Sequence, residues 1–251
     1  MQKNLFSIEG KTICVTGASS GIGRAVSTML CEAGANVIAV ARRADALQQW
    51  KDEATGNAEI ITADLSNIDA LPSLALDICK PFGPVDVLIN AAGLNTRQHA
   101  DTVTLEGWRN TLDINLNAPF FLAQSLVPMM KEKGWGRIIN FGSLQSRRAF
   151  ANGIAYGASK GGVDQLTRAM AEAWSKDGIT ANALAPGFFP TELTAPVFGN
   201  SELADKNANQ TCIGRNGAME DLTGPVLFLC SDASNYVTGQ MLYVDGGFTA
   251  K

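Results

Sequence analysis

Histidine occurs once, at His99, and the five cysteines, Cys14, Cys31, Cys79, Cys212 and Cys230, form no Cys-x-x-Cys pair. A protein-built zinc centre draws three or four N, S or O ligands together, so no metal site is expected. An odd number of widely spaced thiols reads as buried or incidental rather than as a disulfide framework. Basic residues are not in surplus either. Twenty Lys and Arg against 24 Asp and Glu leave a formal net charge of −4, with no footprint for tracking a nucleic-acid backbone. Charge clusters such as Lys131-Glu132-Lys133 mix signs, as a solvated helix end does. No apolar run approaches the roughly 20 residues that span a bilayer. The chain opens Met1-Gln2-Lys3-Asn4 and meets Glu9 before a short first apolar run, Thr12 to Thr16, so no secretory h-region is expected and the expected location is cytoplasmic.

What is present is globular: 251 residues, 46% hydrophobic and 18% charged, enough apolar material for a large core. Ile13-Cys14-Val15 is a short β-branched run closed by Thr16-Gly17, and the segment from Gly21 carries Ile22, Val26, Met29 and Leu30 at helical spacing. Further strands are expected over Val37–Val40, Glu59–Thr62, Val85–Asn90, Arg137–Phe141, Thr180–Leu184 and Gly239–Val244. Helices are expected over Ala44–Glu53 and Tyr156–Trp174. A long helical pattern from Trp108 to Met130 must be interrupted, because Pro119 and Pro128 lack the N–H that a helix interior uses. Strand and helix alternate throughout. The expectation is one α/β domain over 1–251, a Rossmann-type, doubly wound, mostly parallel seven-stranded sheet with helices on both faces. Residues 188–216, rich in Pro, Gly and polar side chains and following a strand end, are expected to form an insertion that covers a ligand crevice.

The first strand runs into Thr16-Gly17-Ala18-Ser19-Ser20-Gly21-Ile22-Gly23. Glycine allows a tight turn and close approach of backbone, and the unsatisfied N–H groups at the following helix start suit a pyrophosphate, so this turn is expected to bind a dinucleotide. An acidic residue ending the second strand would accept from the adenosine ribose hydroxyls and repel a 2′-phosphate. Here that place holds Ala41-Arg42-Arg43, which favours NADP(H), although either arginine could be a solvated surface charge. Asp64 and Leu65, after the third strand, are candidates for the adenine edge and face. Asn90-Ala91-Ala92-Gly93 ends the fourth with small residues that let backbone come close to the cofactor.

Tyr156-Gly157-Ala158-Ser159-Lys160 puts tyrosine and lysine four apart on one helix face. A free tyrosine, with a pKa of about 10, is a poor base near neutrality, and a neighbouring cation favours its phenolate. Ser143, after the buried Ile138-Ile139-Asn140-Phe141 run, could hold a carbonyl oxygen with its hydroxyl. Asn115 could distort or cap its helix, or anchor water and backbone near the lysine. Each residue alone also has a purely structural reading: a half-buried helix-face tyrosine, a lysine packing its methylenes, a serine in a turn.

Together these features resemble the short-chain dehydrogenase/reductase family over essentially the whole chain. Thr16 to Gly23 matches its cofactor turn, Asn90 to Gly93 a variant of its Asn-Ala-Gly segment, and Asn115, Ser143, Tyr156 and Lys160 its catalytic tetrad. Pro186, Gly187 and Thr191 match the segment that approaches nicotinamide and its amide. The resemblance implies that Tyr156 is the acid/base, that Lys160 binds the nicotinamide ribose and lowers the tyrosine pKa, that Ser143 polarises the substrate, and that Asn115 supports a proton relay. It also implies hydride transfer between a ketone and a secondary alcohol, and a homotetramer whose assembly uses Tyr243-Val244-Asp245-Gly246-Gly247.

Specificity is expected from 94–100, 144–154 and the insertion. Asn95, Arg97, Gln145, Arg147 and Arg148 suit a hydroxylated or anionic ligand; Leu144, Phe188, Phe189 and Phe198 suit an apolar one. Arg97, Leu193-Thr194-Ala195-Pro196, Gly214-Arg215 and Glu220-Asp221-Leu222 resemble the sugar-acid and polyol branch that includes gluconate 5-dehydrogenase, where an arginine could pair with a carboxylate. A 3-oxoacyl-carrier-protein reductase, a reductase of another small carbonyl, and a cofactor-binding regulatory protein are the alternatives.

Overall fold

The computed structural model describes residues 4–251, so the opening Met1, Gln2 and Lys3 lie outside the described residues. Seven strands, β1 (Thr12–Thr16), β2 (Asn36–Ala41), β3 (Ala58–Thr62), β4 (Val87–Asn90), β5 (Gly136–Phe141), β6 (Ile179–Pro186) and β7 (Met241–Val244), form one sheet in the order β3-β2-β1-β4-β5-β6-β7. Every neighbouring pair is parallel. The expected sheet is therefore present, and it is parallel throughout.

The helices are α1 (Gly21–Glu32), α2 (Ala44–Glu53), α3 (Leu71–Ile78), α4 (Leu105–Leu112), α5 (Ala118–Lys133), α6 (Ile154–Trp174), α7 (Ala195–Phe198), α8 (Ser201–Gln210) and α9 (Thr223–Cys230). They cover both faces. Alternate side chains of β1 go to opposite sides: Ile13 and Val15 pack with Val26 and Leu30 of α1, Trp50 of α2 and Val226 of α9. Cys14 joins Ile78 of α3, Leu122 and Leu126 of α5 and Met170 of α6 on the other. The period-2 alternation of a strand thus supplies two cores from one run of apolar residues. Among the described residues, no helix is long and apolar enough to cross a membrane.

Several elements begin or end a residue or two away from expectation, as β6 and α6 do, and three differences have a local physical reason. Strand β4 starts at Val87 because Asp86 acts as a cap at the sheet's amino end: its carboxylate accepts from the Thr12 N–H at 2.9 Å and pairs with Lys133 at 2.9 Å. The final strand starts at Met241, since Gly239 turns the chain with φ 71°. Between α4 and α5 lies a π-helical turn, Asp113–Asn117, with Pro119 just after it, so the helical run continues from Leu105 to Lys133 and the wider turn stands where the proline lacks its N–H. Pro128, by contrast, sits inside α5, flanked by the buried Leu126, Val127 and Met130 that hold the helix to the sheet.

The strand order reverses between β1 and β4, which pair with Thr16 opposite Asn90. Asn90 in turn stands opposite Asn140 of β5, so the carboxyl ends of the central strands lie level. Chain leaving β1 and β4 must diverge there, and the crevice between them is where an open α/β sheet receives its ligand.

Candidate active site

A cleft of about 800 Å³ opens over these strand ends. Its floor begins with the glycine turn. Gly17 has φ 71°, and a Cβ there would stand 2.6 Å from the Ala92 Cα, so only glycine lets the turns after β1 and β4 touch. A Cβ on Gly23 would meet the Gly17 carbonyl oxygen at 2.3 Å, which keeps the first turn of α1 pressed against the loop before it. Ser20, the extended residue before α1, makes no side-chain cap, leaving first-turn N–H groups to face the cleft.

Of the expected cofactor residues, Gly17, Ser19, Ser20, Gly21, Ile22, Gly23, Arg42, Arg43, Asp64, Leu65, Ala91, Ala92, Gly93, Tyr156, Lys160, Pro186, Gly187 and Thr191 all line this one cleft. Asn90 does not. Its amide donates to Asn140 Oδ1 at 2.9 Å and towards the Pro119 carbonyl, bracing β4 against β5 below the floor. Asp64 lines the cleft, but its Oδ1 accepts from the Ser66 N–H and hydroxyl at 3.0 and 2.9 Å, so much of its bonding capacity closes its own turn. Thr191 faces Gly21 and starts a helical turn, its side chain accepting from the Thr194 N–H at 3.2 Å.

At the other end, β5 delivers Ser143 and α6 delivers Tyr156 and Lys160. The Ser143 hydroxyl accepts from the Gln145 N–H at 3.1 Å, and Ser146 ties the two elements together by accepting from the Ser143 N–H and donating to the Lys160 carbonyl at 2.8 Å. Lys160 is 4% exposed; its ammonium donates to the Phe141 carbonyl at 2.7 Å and lies 5.7 Å from the Tyr156 ring centre. Burial brings its pKa down to about 8. Burial also pushes the Tyr156 phenol above its ordinary value, while a hydrogen bond with Ser143 and the charge of Arg97 act in the opposite direction. Ser143 and Arg97 thus favour the phenolate, and the Lys160 ammonium stands on the same side of the balance, 5.7 Å from the ring centre.

Asn115 sits beneath the cleft, 1% exposed, in the π-helical turn. Such single π turns inside α-helices are frequent at functional sites. Its Oδ1 accepts from the Leu94 N–H at 2.9 Å, and its Nδ2 donates to the Leu94 carbonyl at 2.9 Å and to Ser159 Oγ at 3.0 Å. Ser159 donates on to the Tyr156 carbonyl at 2.7 Å. Asn115 therefore clamps the strand-β4 loop to the helix that carries Tyr156. Ser146 and Ser159, two of the ties in this arrangement, were not singled out from the sequence; Ser159 lies within the quoted Tyr-to-Lys segment, while Ser146 leaves no comparable signal.

Of the expected specificity residues, Leu94, Asn95, Arg97, Leu144, Gln145, Phe188 and Phe189 line the cleft. Arg97 holds a left-handed φ of 52° and donates from Nη2 to the Leu193 carbonyl at 2.6 Å. Arg147 instead lies over the Tyr243 ring, Arg148 over Phe248, and Phe198 borders a separate outer groove. Phe150 and Phe188, both in the lining, form a three-ring cluster with Phe248 near the carboxyl end of the chain, with ring centres 5.7 to 6.4 Å apart. The cleft thus has an aromatic wall and a cationic edge.

A phosphate-suited glycine turn at one end and a Ser-Tyr-Lys group at the other define a nucleotide-dependent oxidoreductase. The chain belongs to the short-chain dehydrogenase/reductase family: residues 17–249 match the family model described as Enoyl-(Acyl carrier protein) reductase, and its curated relatives are dehydrogenases and reductases. It is 38% identical over 249 residues to gluconate 5-dehydrogenase of Gluconobacter oxydans (strain 621H), covering 98% of this chain and 97% of that one. It is 34% identical over 242 residues to a 3-oxoacyl-carrier-protein reductase of Vibrio cholerae, covering 96% and 98%. A crystal structure of a gluconate 5-dehydrogenase from Burkholderia cenocepacia J2315 in complex with NADP and tartrate is similar at 33% identity and a TM-score of 0.93, covering 99% of this chain and 98% of that one.

Proposed function

We propose that this chain interconverts a secondary alcohol and a ketone on a sugar acid or polyol, with NADP(H) as cofactor. The observation that carries the reading is the union, in one cleft, of the glycine turn after β1 with Ser143, Tyr156 and Lys160. The residues present fit a dinucleotide: Gly17 and Gly23 keep clear the space that side chains would fill, and the start of α1 offers free N–H donors. Gly17, Ser19, Ser20, Gly21, Ile22 and Gly23 would hold the pyrophosphate. The Arg42-Arg43 end of the cleft would take a 2′-phosphate, Asp64 and Leu65 the adenine, and Ala91 to Gly93 the middle of the molecule. Lys160 would hold the ribose, and Pro186, Gly187 and Thr191 the nicotinamide and its amide. Bound there, NADP(H) supplies or accepts the hydride and, when oxidised, adds a positive charge to the site.

The protein's own groups manage the proton. In reduction, Tyr156 is a neutral phenol at neutral pH and donates to the developing alkoxide, while the Ser143 hydroxyl donates a hydrogen bond to the same oxygen. In oxidation Tyr156 must first lose its proton, a loss that the Ser143 hydrogen bond and the Arg97 charge favour. Asn115 fixes Leu94 and Ser159 so that the helix face carrying Tyr156 and Lys160 keeps its place beside the cofactor loop and its proton relay. Two hydroxyls converging on one oxygen suit a C=O/CH–OH pair.

A sugar-acid substrate is supported by Arg97 at the cationic edge, whose guanidinium geometry matches a carboxylate, and by the likeness to gluconate 5-dehydrogenases. The aromatic wall of Phe150 and Phe188 keeps a 3-oxoacyl thioester as the second reading, in line with the Vibrio relative. The same reading takes 1–251 as one domain with 188–216 as the covering insertion, a cytoplasmic location, and a homotetramer. Purified enzyme assayed with NADP+ and NAD+ against gluconate, other sugar acids and polyols, and with NADPH against 3-oxoacyl thioesters, tests it. Turnover of sugar acids with NADP+ is expected; turnover confined to thioesters would overturn the substrate assignment.

A further inference from the structure

Arg42 and Arg43 are adjacent in sequence but differ in what they bind. Arg43 donates from Nη1 and Nη2 to the two carboxylate oxygens of Glu192, at 3.0 and 3.1 Å, and from Nε to Ser19 Oγ at 3.2 Å. Its partner lies 149 residues away, in the turn after β6 that begins at Thr191. The Arg43 guanidinium on both oxygens keeps the Glu192 carboxyl below the usual carboxylate range. Arg42 has no hydrogen bond or ion pair within the described residues; its charge acts on Asp64, and it lines the cleft.

The position of this pair matters as much as its geometry. Ser19, Ser20, Arg43, Thr191 and Glu192 border both the main cleft and a second groove on its outer side. The Arg43–Glu192 bridge is therefore the partition between them, joining the phosphate turn to the start of the 188–216 segment. A two-toothed guanidinium–carboxylate pair fixes direction as well as distance. Both side chains are at least half exposed, so the pair adds little to stability.

We propose that Glu192 is a positioning residue that commits Arg43 to a clasp over the phosphate turn, gating cofactor entry and release, and that Arg42 alone recognises the adenosine 2′-phosphate. The second half rests on the NADP(H) reading; the clasp does not.

The test compares Glu192→Gln, Arg43→Gln and Arg42→Ser with the wild type. Release of NADPH and of NADH is followed by stopped-flow fluorescence at two salt concentrations, and hydrogen exchange is followed in the cofactor-free protein. Glu192→Gln and Arg43→Gln are expected to speed release of both cofactors alike, by about two- to fivefold, the range an exposed pair supports. Release should quicken with salt in both, and more steeply in the wild type than in Glu192→Gln, which has no ion pair left to screen. Cofactor-free Glu192→Gln should exchange faster over 191–199. Arg42→Ser should weaken NADPH binding at least tenfold relative to NADH. Unchanged release and exchange in Glu192→Gln would overturn the clasp. Loss of NADPH selectivity in Arg43→Gln equal to that in Arg42→Ser would overturn the division of roles. A wild type that does not distinguish the cofactors would remove the NADP(H) reading and the role of Arg42, leaving the clasp to be decided by NADH release and by exchange.

Discussion

Tyr156 and Lys160 share a helix face, yet the structure gives them different charges to answer to. The lysine points into the protein, to the Phe141 carbonyl, and burial alone accounts for its pKa of about 8. The tyrosine looks towards Ser143 and the guanidinium of Arg97. A cation stabilises the phenolate more than the phenol, so removing it raises the phenol pKa. Arg97→Met is therefore expected to move the alkaline rise of kcat/KM for alcohol oxidation to higher pH. An uncharged polyol as substrate keeps carboxylate binding out of the comparison. A rise that stays in place, or moves down, would take Arg97 out of the tyrosine's electrostatics.

At the scale of elements, the site depends on two close approaches, the glycine turn against the β4 loop and the π-helical turn against α6. Asn115 makes the second with three hydrogen bonds to Leu94 and Ser159. Asn115→Ala leaves the Leu94 N–H and C=O without that partner in a part-buried setting, and is expected to lower unfolding free energy by about 1–3 kcal/mol. A urea titration reads this, and a change of less than a few tenths would mean that water or a neighbour replaces the amide. The strands were legible in the sequence because each is a compact β-branched or apolar run between turn residues, as with Val37–Val40 and Arg137–Phe141. Helices α3 and α9 were not assigned. Leu71-Pro72-Ser73-Leu74 and Thr223-Gly224-Pro225-Val226 open with proline near the start; α9 is apolar all round with no polar face to mark a period, and α3, though Leu71, Leu74, Ala75 and Ile78 fall at helical spacing, is only eight residues long. The π turn was hidden for a different reason: Asp113-Ile114-Asn115-Leu116-Asn117 continues the hydrophobic spacing of a helix, and an extra residue per turn leaves no mark in composition.

At the scale of the molecule, the cleft lies between pieces of chain that are distant in sequence, and this is where sequence reasoning reached least far. Motif spacing located nearly every residue of the cleft because the turns after β1, β4, β5 and β6 carry most of them, and parallel strands bring those turns to one edge. Pairings across the opening follow no spacing rule. Glu192 with Arg43, Arg97 with Leu193, and Phe248 with Phe150 and Phe188 appear only once the chain has folded. All three pairings, through Phe188, Glu192 and Leu193, involve the first residues of the 188–216 segment. Ligand binding is accordingly expected to slow hydrogen exchange over 188–216 more than over α5, which packs on the far side of the sheet from α1. Equal protection with and without cofactor and substrate would mean that the segment is a fixed wall.

The central claim is that Tyr156 transfers the proton while NADP(H) carries the hydride of a sugar-acid alcohol. Its most direct measurement is NADPH formation from gluconate and NADP+ by wild-type protein and by Tyr156→Phe, with cofactor binding measured on both. The account predicts turnover by the wild type, a loss of at least about 100-fold in kcat for the variant, the scale of general acid–base catalysis, and cofactor binding within a few-fold of wild type. A Tyr156→Phe enzyme that turns over gluconate at near wild-type kcat would contradict it.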